Sequence, residues 1–179
     1  MDEASGFLTL EQSYRTTVEI MEAANRVINR INEGQLVLAK PVVRHGEPVR
    51  ILKAESIPEL VKGIEGKIAE VREAGFQSIA VIGKTIAECE SLARYFKSPE
   101  TPVMMTGKET EYRSGLVMLP SYLAKGLEFD VVIVANADSH NYQENELDTK
   151  LLYVVMTRPL HRLYIYYTGE LTPLLNEGY

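Results

Sequence analysis

The stretch Pro120–Val134, "PSYLAKGLEFDVVIV", decides how this sequence folds. Its second half runs on as "DVVIVAN" over residues 130–136 without the polar alternation of a half-solvated strand, so both faces of that strand must be covered. A strand covered on both faces belongs inside a parallel sheet. The preceding "YLAKGLE" is then a charged loop delivered to a sheet edge, a place where function commonly resides.

The rest of the chain has the same rhythm. "FLTLEQ" (7–12), "PVRILKA" (48–54), "SIAVIGK" (78–84), "PVMMT" (102–106), "GLVMLP" (115–120) and "RLYIYYTG" (162–169) read as strands. Helical periodicity covers 16–33, 57–74, 86–97 and 145–157, with Gly34 and Gly75 ending the first two. Alternating strands and helices predict a three-layer α/β domain with a mainly parallel sheet. At 179 residues the chain suits a single domain, and no internal repeat or low-complexity tract interrupts it.

Composition removes several classes of function. The 19 basic and 25 acidic residues leave a net charge of −6, so any polyanion contact must come from local basic loops. The single cysteine, Cys89, allows neither a disulfide framework nor a cysteine-rich zinc site, and it suits a reducing compartment. It lies on an amphipathic helix and reads as a small core residue. His45, His140 and His161 are scattered without ligand spacing, so no metal site is expected. No leader-like or membrane-length apolar segment is present, which predicts a cytoplasmic protein with no membrane partner.

One motif misleads. "GFQSIAVIGKT" offers Gly75, Gly83, Lys84 and Thr85, but seven residues separate Gly75 from the Gly-Lys pair where a phosphate-cradling P-loop has four. Most of the seven belong to a strand. The chain therefore lacks its own P-loop.

Three other segments carry chemistry. "LEQSYRTT" places Tyr14 and Arg15 where a strand gives way to a helix that Thr16 or Thr17 can cap. "AKGLEF" turns at Gly126 between Lys125 and Glu128, and "LLYVVMTRP" ends a helix at Arg158. Each alone reads as ordinary surface chemistry: Lys125 and Glu128 as a solvated pair, Arg158 as a cation at a helix C-terminus. Together, in this order, they resemble motifs IV, V and VI of superfamily 1 helicases of the UvrD, Rep and PcrA type, over residues 8 to 168. Ser13 replaces the usual asparagine of motif IV, and Pro120 and Tyr122 replace the threonine and histidine of motif V. "LPSYLAKGLEF" looks most like the HelD, or helicase IV-like, branch.

The resemblance implies a second RecA-like motor domain spanning 1–179, a C-terminal piece whose ATP site is shared with an N-terminal RecA-like domain outside this sequence. The large accessory subdomain inserted in UvrD-type helicases is expected to be absent or vestigial around 98–114. Arg15 and Arg158 would be catalytic, placing permanent charge against the γ-phosphate of ATP. Tyr14 would stack on adenine, and Glu128, beside Gly126, would take a ribose hydroxyl. Magnesium would be held by the other domain. Lys84, Thr85, Ser121, Tyr122 and Lys125 would meet single-stranded or duplex DNA, lysine by charge and Tyr122 by stacking. The implied activity is an ATP-dependent DNA helicase or translocase that this piece alone cannot perform. The alternative is a HelD-like factor associated with RNA polymerase, in which the domain mainly binds and couples. A free-standing α/β nucleotide-binding protein is a third reading.

Overall fold

A computed structural model of the chain describes residues 16–32, 44–108 and 115–176. The strand expected at 7–12 lies outside them. The described elements are α1 (Val18–Asn32), β1 (Arg50–Ala54), α2 (Ile57–Glu73), β2 (Ile79–Gly83), α3 (Ile86–Ala93), β3 (Val103–Met104) and β4 (Leu116–Pro120). After them come a 3-10 turn (Ser121–Leu123), β5 (Phe129–Val134), α4 (Glu146–Met156), β6 (Pro159–Thr168) and a last 3-10 turn (Pro173–Leu175). Six strands form one sheet in the order β1-β6-β5-β2-β4-β3, and every pairing is parallel. The expected α/β fold with a mainly parallel sheet is the one observed.

Strands β2 and β4 are buried along their whole length and β5 at every residue but Asp130, as their apolar runs require. Side chains alternate between two cores, one on each face of the sheet. Ala80, Ile82, Val117, Val132, Val134 and Ile165 pack beneath α1 and α4. On the other face Ile79, Val81, Met118, Val131, Ile133 and Tyr164 pack beneath α2 and α3. Because all strands run one way, the sheet has an edge of carboxyl ends and an edge of amino ends, and each loop belongs to one of them.

Local chemistry sets the helix boundaries. Ser56, Thr85 and Asn145 each accept a backbone N–H of the third residue on and start α2, α3 and α4, while the Thr17 hydroxyl accepts from the Ile20 N–H at 3.3 Å to start α1. The third helix is shorter than the 86–97 expected. After Ala93 the chain closes with i→i+3 bonds, Tyr95 N–H to Leu92 O and Phe96 N–H to Ala93 O, a tighter turn that packs Phe96 against the core. Strand β6 starts at Pro159, three residues earlier than expected. A first-strand proline needs no ladder N–H, and an extra residue is taken up in β6 where Phe129 pairs with Pro159 but Val131 pairs with Arg162.

Candidate functional site

The loop from Ser121 to Glu128 connects the carboxyl end of β4 to the amino end of β5, and it does so without a full helix. At its start the Ser121 side chain is 1% exposed and its hydroxyl donates to the Lys84 carbonyl at 2.7 Å. Tyr122, next to it, is 53% exposed. Ala124 is buried, and the Leu127 N–H returns to the Ala124 carbonyl at 3.0 Å, closing a turn around Lys125 and Gly126. Gly126 has φ +85°, the left-handed backbone that the third position of a type II turn requires. Lys125, Gly126 and Glu128 are exposed.

Arg158 is built into the far end of that loop. Its Nη1 donates to the Leu127 carbonyl at 3.3 Å, Nε to Val154 O at 3.1 Å and Nη2 to the Thr157 hydroxyl at 3.1 Å. The Phe129 N–H in turn donates to the Arg158 carbonyl at 3.2 Å. Carbonyls at a helix C-terminus and in a turn thus orient a permanent cation at the amino edge of the sheet, next in space to Gly126 and Glu128.

Tyr14 and Arg15 lie outside the described residues. Thr17, two residues on, is at the same amino edge: a Cβ on Gly46 would touch both Thr17 and the His161 carbonyl near the start of β6. Segment 44–49 is pinned there by Glu19, which accepts from Gly46 N–H and pairs with His45 Nδ1, both at 2.8 Å. The hydrogen bond from His45, then that from Gly46, holds the Glu19 carboxyl down to about 2. A hollow of about 330 Å³ opens between Thr17, Arg44, Phe76, His161 and Arg162, within the size range of small-ligand sites. A hollow of about 450 Å³ between α1 and the start of α4, lined by Arg30, Glu144 and Thr149, holds none of the candidate residues.

The misleading Gly83-Lys84-Thr85 sits at the opposite, carboxyl edge, and each of its residues has a structural task. A Cβ on Gly83 would come within 2.8 Å of the Cys89 sulfur, so glycine lets α3 approach β2. Thr85 caps α3, accepting the Glu88 N–H at 3.1 Å. Lys84 Nζ pairs with Asp148 Oδ1 at 2.9 Å, donates to the Asn141 carbonyl and lies 5.3 Å from the centre of the Tyr142 ring. Burial opposes ionisation of Asp148, but the Gln143 N–H and the Lys84 ammonium outweigh it and hold the carboxyl below the usual carboxylate range. Cys89 is a core residue, its thiol pushed up to about 11 by burial.

The candidates therefore separate. Gly126, Glu128 and Arg158 share the amino edge, while Lys84, Thr85, Ser121 and Tyr122 share the carboxyl edge, with Lys125 on the segment between. Sequence reasoning missed Asp148, Asn141 and Asn136. Asp148 shows in sequence only as an acid in a helix first turn, favoured there by the macrodipole, and its pairing with Lys84 spans 64 residues. Asn136, at φ +57°, lies two residues beyond β5 and bonds across to Thr168 and Glu88. Among the described residues no group of three or more His, Cys, Asp or Glu side chains could hold a metal ion, and no helix is long and apolar enough to cross a membrane.

Comparison with known proteins gives the family. Two family models, both described as the UvrD-like helicase C-terminal domain, match residues 8–117 and 115–166. The chain belongs to the UvrD-like helicase C-terminal domain family. A solved structure, the C-terminal domain of a possible DNA helicase from Lactobacillus strain WCFS1, is similar at 30% identity with a TM-score of 0.75. That similarity covers 91% of this chain and 92% of the other. No curated protein matches the chain significantly. In this UvrD-like domain the loop that names motif V is thus the one that spans the sheet from edge to edge.

Proposed function

We propose that this UvrD-like domain is the second motor half of an ATP-dependent DNA helicase or translocase, working in the cytoplasm with an N-terminal RecA-like domain that supplies the P-loop and the magnesium ligands. One observation carries the reading. In a self-contained open α/β protein the ligand lies outside the carboxyl ends of the strands. Here the residues suited to a nucleotide, Gly126, Glu128 and Arg158, stand at the amino edge, the place for a surface that closes over a nucleotide held by another domain. The same placement weighs against a free-standing nucleotide-binding protein.

Bound ATP supplies the phosphoryl group whose transfer to water drives the cycle. Arg158 presents a fixed guanidinium whose bonds to Leu127 O and Val154 O hold it in place before any charge develops. Arg15 adds the second cation and Tyr14 the stacking face. Glu128 accepts a ribose hydroxyl, and Gly126 gives the turn that sets Glu128 and Arg158 side by side. At the carboxyl edge Tyr122 offers its ring to a base, and Lys125, on the segment between the two edges, its charge to the backbone of DNA. Assignment to the HelD-like branch rests on "PSYLAKGLEF", in which the tyrosine at the motif V histidine position is exposed.

The test is steady-state ATPase kinetics in a polypeptide joining this domain to its P-loop half. Arg158→Ala should lower kcat by roughly a thousandfold or more, with a much smaller change in KM. Residues 1–179 alone should show no magnesium-dependent hydrolysis. Near-normal turnover by Arg158→Ala, or hydrolysis by the isolated domain, overturns the shared-site reading.

A further inference from the structure

Lys84 carries a charge to the edge where DNA is proposed to bind, and that charge is already engaged. An ammonium has three donor directions. Asp148 Oδ1 takes one at 2.9 Å and the Asn141 carbonyl another, and the Tyr142 ring covers a further side. The Lys84 side chain is 19% exposed and that of Asp148 8%. Asp148 is itself fixed: its Oδ2 accepts from Gln143 N–H at 2.8 Å and Asn145 Nδ2 at 3.3 Å, while its own N–H donates to Asn145 Oδ1 at 2.7 Å. Thus a lysine in the loop after β2 is clasped by a preset carboxylate in the first turn of α4. The clasp is also next to the aromatic platform, since the Lys84 carbonyl accepts the hydroxyl of Ser121 and Tyr122 follows directly.

The geometry points to Asp148 as a positioning residue that controls how many charges the domain offers a nucleic-acid strand: it withholds Lys84, and a phosphate has to displace it. This rests on the reading of the carboxyl edge as the strand track. A strand phosphate remains partly in water, whereas Asp148 is desolvated and already aligned, so Asp148 wins the competition in the native domain. Lys84 is then a reserve contact, released when α4 shifts relative to β2.

Asp148→Asn keeps the shape and an acceptor for Gln143 N–H while removing the charge. Binding of a labelled oligo-dT to the 179-residue chain should be followed by fluorescence anisotropy from about 50 to 200 mM salt. The variant should bind roughly three- to tenfold tighter at low salt, and its log–log salt slope should steepen by about 0.7, the contribution of one more neutralised phosphate on a single strand. Adding Lys84→Ala should cancel both changes. A purely structural ion pair predicts no steeper slope, so an unchanged slope or weaker binding overturns the clasp. If Asp148→Asn does not fold, amine acylation of the native chain read by mass spectrometry decides: Lys84 should react far more slowly than exposed Lys125, and equal rates refute the withholding. Binding that depends on Tyr122 but ignores Asp148 leaves the track standing and removes the clasp. No binding by either protein at the lowest salt removes both.

Discussion

Tyr122 and Ser121 are neighbours in sequence, both expected to meet DNA, but the structure exposes Tyr122 and buries Ser121 with its hydroxyl on the Lys84 carbonyl, and substituting each should reveal the difference. With 53% of Tyr122 exposed, and a buried tyrosine covering some 150–250 Å², about 100 Å² of ring surface stands free for a base. The covered half contributes up to about 2 kcal/mol to folding at 25 cal/mol per Å². Tyr122→Leu retains most of that packing and loses the aromatic face. It should weaken oligo-dT binding by about 1–3 kcal/mol, roughly 5- to 150-fold, while shifting stability by less than about 1 kcal/mol. Tyr122→Phe should keep the affinity, because stacking needs the ring and not the hydroxyl. Ser121→Ala does the reverse: it strips the Lys84 carbonyl of a buried donor and should cost about 1–3 kcal/mol of stability. Anisotropy titrations at low salt paired with urea melts read both quantities. Leu-variant binding within twofold of wild type would end the stacking argument, and so would a Phe variant as weak as the Leu variant.

Gly83→Ala should destabilise the domain by about 1–3 kcal/mol through overlap with the Cys89 sulfur, and Cys89→Ala should relieve part of it. Urea midpoints that show the two changes to be additive within about 0.5 kcal/mol would disprove the contact as the cause. Glu19 gives a pH signature: its folded carboxyl is held to about 2 against an ordinary value of 4.5, so its contribution is complete above 4.5 and is lost as pH falls from there toward 2. The stability gap between wild type and Glu19→Gln should therefore narrow between pH 6 and pH 3, and a gap that stays constant contradicts the tether.

The layers of this fold were legible because burial on both faces leaves its mark on each strand separately: "IAVIG" and "LVMLP" are apolar throughout, and "FDVVIV" is apolar except for the half-buried Asp130. The Thr17 cap was legible for a similar reason, since it acts over three residues, whereas Thr85 reads in sequence as a DNA contact and its cap of α3 emerges only in the structure. Strand order was not, because it depends on β6 inserting between β1 and β5, a pairing that joins residues more than a hundred apart. The same limit explains the site. Arg158 was visible as a cation before a proline, yet its orientation comes from Leu127 O, and the use of Lys84 depends on Asp148. Gly83-Lys84-Thr85 looked like phosphate chemistry because a P-loop and a strand–helix junction ask for similar residues: a small one for close approach, a cation and a helix-capping hydroxyl.

Helix α4 brings the two edges into one mechanical circuit. Asp148 in its first turn holds Lys84, and eleven residues at 1.5 Å each, about 16 Å, carry the helix to the Arg158 end. Arg158 grips Leu127, Leu127 closes its turn on Ala124, the Ala124 N–H bonds the Ser121 carbonyl at 3.1 Å, and the Ser121 hydroxyl returns to Lys84. Each link is a hydrogen bond or an ion pair, and the two long sides are a helix and a packed loop, so neither edge can move far without pulling on the other. The cation proposed to meet a nucleotide at one edge and the aromatic platform proposed for a strand at the other are therefore mounted on a single frame, as the proposed motor role requires. Asp148–Lys84 is the one ion pair in this ring, and the link a polyanion can compete for, which places the point of control at the strand edge rather than at Arg158.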